Sequence, residues 1–245
     1  MLSFFKSKPV LKELLDGSFV DIHSHVLPGI DDGANDIAKS TALAKSLQDL
    51  GISQLVTTPH INYHIWNNSP ETIQLKLEET QKALVENKTE IPIRAAAEYF
   101  IDNWFENLLR EQKLLTLKDN YVLVEMSYIN APIQLYKVLF ELQVAGYIPV
   151  LAHPERYLFY HKNFAEYEKL KNAGCLFQLN LLAAVGYYGE KITKVADELL
   201  KRGLYNFAGS DVHHKNHIAA FDQKIKIKNE IALREVIKNN TFFKF

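Results

Sequence analysis

The 245-residue chain is 47% hydrophobic and 23% charged, an ordinary globular composition with enough length to close one substantial core. Its formal net charge of −1 leaves no basic surplus to neutralise a nucleic-acid backbone or an anionic membrane. Cys175 is the sole cysteine, which rules out an internal disulfide or an intrachain thiolate zinc cluster and fits a reducing compartment.

The N-terminal ten residues place Phe4 and Phe5 among Lys6 and Lys8 but lack the continuous apolar core of a signal peptide. No later stretch reaches the roughly 18 uninterrupted apolar residues of a membrane span, so the cytoplasm is the expected location. Beyond a short N-terminal segment (1–16), apolar β-prone runs recur at 19–22, 54–57, 91–96, 121–124, 148–151, 176–179 and 205–208, seven in all. Between them, residues 37–50, 71–86, 132–145 and 191–201 repeat apolar side chains at helical spacing. Gly51, Gly146, Gly174 and Gly203 stand where left-handed caps would end helices before the next strand.

Strands alternating with helices imply parallel pairing, and seven units favour a closed or nearly closed β/α barrel over an open sheet. No Gly-x-Gly-x-x-Gly turn follows the first strand. No linker divides the chain, so 1–245 reads as one domain ending in a helical tail (216–245).

Several apolar runs end in residues that bind metals: Asp21-Ile22-His23-Ser24-His25, Thr57-Thr58-Pro59-His60, Ala97-Glu98, Glu125-Met126, Ala152-His153-Pro154-Glu155-Arg156 and Ser210-Asp211-Val212-His213. In a parallel barrel every strand C-terminus opens on one face, so these side chains can converge. Alternate residues of an extended segment share a side, so His23 and His25 can grip one ion, as can Asp211 and His213. Carboxylates such as Glu98 or Asp211 can bridge neighbouring cations. A nitrogen and oxygen shell without sulfur suits Mn, Fe, Zn or Mg. Taken singly, each residue has a plainer reading: a hydrogen-bonded strand-end histidine, a loop carboxylate, or an Arg156–Glu155 surface pair.

At these residues the sequence resembles the PHP (polymerase and histidinol phosphatase) family, specifically its bacterial protein-tyrosine phosphatases of capsule and exopolysaccharide synthesis. Further marks are Gly29-Ile30-Asp31-Asp32-Gly33, Glu98-Tyr99, Met126-Ser127, Arg156-Tyr157 and Gln178-Leu179-Asn180. The resemblance implies a distorted TIM-like (β/α)7 barrel with a trinuclear centre, manganese first among the metals. One ion would take His23, His25, Glu98 and Asp211; a second would share Glu98 and add Glu125 and His153. The third would take Asp32, His60 and His213, with Asp31 the alternative to Asp32. Metal coordination lowers the pKa of water from about 15.7 toward neutrality, supplying hydroxide for in-line attack on a phosphate ester. Arg156 would clamp the phosphate, and Asp211 or a histidine such as His153 would serve as general acid in the catalytic set.

The implied substrate is phosphotyrosine on the C-terminal tail of a membrane tyrosine kinase. Histidinol-type small-molecule phosphatase, metal-dependent amidohydrolase and nonenzymatic phosphotyrosine binder are the rival classes. Two departures stand out. The loop after Ser210-Asp211-Val212-His213 reads His214-Lys215-Asn216-His217, without the second arginine usual in the group, leaving Lys215 or His217 as substitute charges. The ring-forming acidic-basic motif is not evident in residues 36–41, which leaves the oligomeric state open.

Overall fold

A computed structural model describes residues 7–111 and 114–245; Phe4, Phe5 and Lys6 lie outside the described residues. In chain order the strands are β1 (Val20–Asp21), β2 (Gln54–Thr57), β3 (His60–Ile61), β4 (Ile93–Ala95), β5 (Glu98–Phe100), β6 (Tyr121–Glu125), β7 (Ile148–Ala152), β8 (Leu176–Asn180) and β9 (Phe207–Gly209). All seven expected runs form strands. β3 and β5 are additions, each following its predecessor across a two-residue break. Every pairing within the sheets is parallel, in the orders β1-β2-β4 and β3-β5-β6-β7-β8-β9. A parallel Ser24–Val212 bridge ties the chain beyond β1 to the chain beyond β9, supported by Asp211 N donating to His23 O at 2.7 Å.

These strands read as continuous apolar runs because both faces are buried. Alternate residues separate into two layers. Val20, Ile22, Val56, Ala96, Leu123, Val150, Ala152 and Phe207 form the inner cluster, while Leu55, Val122, Val124, Leu151, Phe177 and Leu179 pack against the helices.

The helices are α1 (Ile37–Asp49), α2 (Pro70–Glu86), α3 (Asn103–Glu111), α4 (Leu135–Val144), α5 (Phe164–Asn172), α6 (Glu190–Lys201), α7 (Lys215–Ala220) and α8 (Glu230–Asn239). Asp36 caps α1 by accepting from Lys39 N at 2.8 Å, and Ser69 caps α2 ahead of Pro70. The four cap glycines adopt the expected positive φ. α3 and α5 were not marked by sequence periodicity. Each is only nine residues long and buries two side chains, although α3 is clearly amphipathic, with Leu108 and Leu109 packed against the core beside Phe105.

The expected helical tail is structural. After α8 a 3-10 turn (Asn240–Phe243) folds beneath the strands and inserts fully buried Phe243 into the inner cluster. Asn240 donates to Val20 O at 2.8 Å and Ala208 O at 2.6 Å, and accepts from Ala208 N at 2.9 Å. One end of the inner core is thereby filled, leaving the strand C-termini as the open rim.

Candidate metal centre

The parallel topology brings His23 and His25 from beyond β1, His60 from β3, Glu98 from β5, Glu125 from the end of β6, His153 from beyond β7, and Asp211 and His213 from beyond β9 to that rim. Asp32 joins them from the loop before α1. Glu98 sits at the centre and is fully buried. Its Oε2 lies 3.2 Å from His23 Nε2, 3.4 Å from His25 Nε2 and 3.2 Å from His60 Nδ1, and its Oε1 lies 3.2 Å from His153 Nε2. Four sets offer ligand atoms lying within 4.8 Å of one another: His25, Asp32, His60 and His213; His23, Glu98 and His153; His23, His25 and Asp211; and His60, Glu98 and Glu125.

A divalent cation fits this cluster on one observation. His23 Nε2, His25 Nε2, His60 Nδ1 and both oxygens of Glu98 are buried without a hydrogen-bond partner. Buried polar atoms are ordinarily satisfied, and leaving one unpaired costs about 1–3 kcal/mol. Here they cluster and point at one another. The opposite ring nitrogens are held: Gln178 Oε1 contacts His23 Nδ1 at 2.8 Å, and Asp31 Oδ2 contacts His25 Nδ1 at 2.8 Å. Such outer contacts fix the ring and the tautomer of a ligating imidazole. The adjacent aspartates therefore divide the work, with Asp31 behind His25 while Asp32 Oδ1 reaches His213 Nε2 at 3.3 Å.

Two tight features allow this convergence. Gly209 lies so close to His23 that an added Cβ would fall 2.6 Å from the His23 Cβ. His153 and Asp211 adopt left-handed backbone, φ 37° and 51°, at a cost on the order of 1–3 kcal/mol each that aims both side chains inward.

Electrostatics follow from burial and mixed charge. Burial opposes ionisation of Glu98 and Asp211, yet surrounding histidines, His23 foremost, hold both carboxylates well below their usual range. Burial likewise opposes a charged His23, but Glu98 and Asp211 outweigh it and push the ring up to about 9. His153 goes the other way, lowered to about 4 by burial and the charge of Arg156, so it is a neutral nitrogen donor. Glu125 is raised by burial and by Glu98.

The cavity above the cluster has a volume of about 480 Å³. Arg156 lines it, donating from Nη1 to Asp211 Oδ2 at 2.9 Å, an oxygen that also accepts from Asn180 Nδ2 at 2.7 Å. The pairing of Arg156 with Glu155 is not formed: Glu155 turns away to accept from Asn180 N and the Tyr205 hydroxyl. Asp211, held below its usual range, is an acceptor here for Arg156 and Asn180.

The two substitute charges of the following loop are placed differently. Lys215 begins α7 and faces a neighbouring depression with Gly33, Asn35 and Lys39, because the helix turns it away from the cavity. His217 does reach the cavity wall, but burial and the charges of His214 and His213 lower it to about 4, leaving it neutral. Sequence reasoning gave no roles to Gln178, Asn180, Trp66, Tyr128 or Tyr188. Trp66 stacks on His60 at 4.7 Å, and the Arg156 guanidinium lies between Tyr128 and Tyr188.

Residues 19–227 match the model of the family described as capsular polysaccharide synthesis, CpsB/CapC. The chain belongs to this family. It is 31% identical over 196 residues to tyrosine-protein phosphatase YwqE of Bacillus subtilis (strain 168), covering 80% of this chain and 77% of that protein. It also resembles a crystal structure from work on YwqE of Bacillus subtilis and CpsB of Streptococcus pneumoniae, described as metal-dependent tyrosine phosphatases. The TM-score is 0.78 at 28% identity, over 88% of this chain and 86% of that one. An amidohydrolase from Mycoplasma synoviae matches at TM-score 0.54 with 14% identity, over 96% and 90% of the two chains, a likeness of fold alone.

Proposed function

We propose that this chain is a metal-dependent protein-tyrosine phosphatase that hydrolyses phosphotyrosine with divalent cations held by His23, His25, Asp32, His60, Glu98, Glu125, His153, Asp211 and His213. The observation that carries the reading is the set of buried, unpaired nitrogen and oxygen atoms around Glu98, directly beside Arg156. Family membership and the names of its relatives support the same reaction class. Three ions, manganese first, are the number and kind we assign; iron, zinc and magnesium suit the donors as well. When bound, the cations neutralise phosphoryl charge and acidify water for attack.

The chain's own residues do the remaining work. Gln178 and Asp31 orient His23 and His25. Asn180 and Arg156 hold Asp211 Oδ2, leaving Oδ1 facing His23 Nε2 at 3.3 Å. Arg156 keeps a guanidinium edge for a phosphate oxygen. A phenolate, with a parent pKa near 10, leaves with less protonation than an alkoxide, consistent with an ionised Asp211.

For architecture, we take β2 with β3 and β4 with β5 as two interrupted strands, which with the Ser24–Val212 bridge make a distorted (β/α)7 barrel of PHP type. We take 1–245 as one domain. We place it in the cytoplasm, acting on the C-terminal tail of a membrane tyrosine kinase. No helix of the described residues is long and apolar enough to cross a membrane.

Trp66, Tyr128, Ile65 and Ile129 give the cavity mouth an apolar wall, which suits a phenyl ring better than the polar body of a histidinol-type metabolite. No lysine lines the cavity among the described residues, which disfavours amidohydrolase chemistry built on a bridging lysine. Manganese-loaded protein should release phosphate from phosphotyrosine peptides faster than from histidinol phosphate or phosphoserine peptides. No release from any of them with any divalent ion would defeat the proposal.

A further inference from the structure

A phosphate monoester presents three terminal oxygens, and the clamp expected to meet them is short of donors. Arg156 spends Nη1 on Asp211, and its two flat faces are covered by Tyr128 and Tyr188, whose ring centroids lie 4.7 and 4.4 Å from the guanidinium carbon. With Nη1 engaged, only part of its donor edge is left for a ligand. Lys215 lines a neighbouring depression instead, and His217 has its Nδ1 engaged with His213 N and Asp211 O.

Tyr128 stands on the same wall. It follows β6 three residues after Glu125, lines the cavity, and stacks over His153 with centroids 5.8 Å apart at 29°. Its hydroxyl lies 3.4 Å from His153 Nε2, the nitrogen that also faces Glu98 Oε1 at 3.2 Å. The hydroxyl therefore sits at the edge of the polar cluster, on the ring whose face carries the Arg156 guanidinium. A phenol hydroxyl carries one O–H donor.

We propose that Tyr128 donates a hydrogen bond to the phosphoryl group of the substrate, supplying the second phosphate donor that the loop after His213 lacks. Tyr188 is a positioning residue: it closes the other face of Arg156 and holds the guanidinium edge toward the same oxygens. Its hydroxyl accepts from Asn180 Nδ2 at 3.1 Å, which anchors the ring. This inference rests on the phosphomonoesterase reading above and names two further residues of that site.

The test is calorimetric titration of manganese-loaded protein with orthophosphate, read beside kcat/KM for p-nitrophenyl phosphate and bound manganese by elemental analysis. Tyr128→Phe keeps the ring over Arg156 and removes only the hydroxyl. It should weaken orthophosphate by roughly tenfold or more, with a parallel fall in kcat/KM and unchanged manganese. Tyr188→Leu should also weaken orthophosphate, while Tyr188→Phe restores most of the affinity. Unchanged orthophosphate affinity in Tyr128→Phe, beside a wild type that binds phosphate and turns over, would overturn this inference and leave the phosphatase reading intact. Loss of manganese from Tyr128→Phe would overturn it too, by assigning the hydroxyl to the metal cluster. A wild type that neither binds orthophosphate nor releases nitrophenol would overturn both.

Discussion

The two ends of the inner core are built on opposite terms. At the closed end, Phe243 packs with Val20, Leu123, Val150 and Phe207, and the amide of Asn240 has its oxygen and nitrogen both engaged with backbone. At the open end, the buried nitrogens and oxygens around Glu98 face one another unpaired, and His153 and Asp211 hold left-handed backbone. Satisfied polar groups and close packing stabilise a fold. Concentrating unsatisfied donors at one rim costs stability and leaves ligand atoms ready for cations.

If that division is real, changes at the two ends should separate cleanly into activity and stability. Glu98→Ala should produce the largest effect, cutting phosphotyrosine turnover by about 1000-fold or more, since it removes the group shared by four histidines. Circular dichroism should meanwhile show the fold retained. An active Glu98→Ala would break the comparison at once.

Phe243→Ala at the closed end should do the reverse, losing about 3–5 kcal/mol of unfolding free energy in urea while turnover per folded molecule stays within about twofold. Gln178→Ala, behind His23, should cost roughly 10–100-fold in metal affinity, a weaker echo of losing a ligand. Equal affinity in a titration with manganese would show that His23 needs no outer support.

Metal affinity should also rise with pH. The metal-free His23 ring, pushed up to about 9, is protonated at pH 7, so a cation must displace that proton and binds less tightly as pH falls. A dissociation constant flat from pH 6 to 9 would contradict this sign. The smallest effect concerns Cys175, which burial pushes up to about 12. A thiol reagent should leave the native enzyme unlabelled and its turnover unchanged.

Much of this molecule was legible in its sequence because one physical pattern served twice. Apolar runs marked the strands, and a ligand-type residue at the end of every run but 176–179 marked the rim, so His23, His60, Glu98, Glu125, His153 and Asp211 could be grouped without coordinates. What escaped was set by neighbours that only the fold supplies. Gln178 is a polar residue in an apolar strand until His23 arrives beside it. Tyr128 and Tyr188 gain meaning only from the guanidinium between them, and the place of Lys215 in the neighbouring depression is set by where α7 begins. α5 buries too little to leave a periodic trace, whereas nine-residue α3 is amphipathic but short. The helical tail was expected as an appendage, yet Asn240 and Phe243 close the core, a role no local pattern announces.

The most direct test of the central claim is an anomalous-difference map from crystals grown with manganese and orthophosphate. The account predicts three metal peaks ringing Glu98, with phosphate against Arg156. Metal peaks confined to the surface, with the Glu98 cluster free of them, would contradict it.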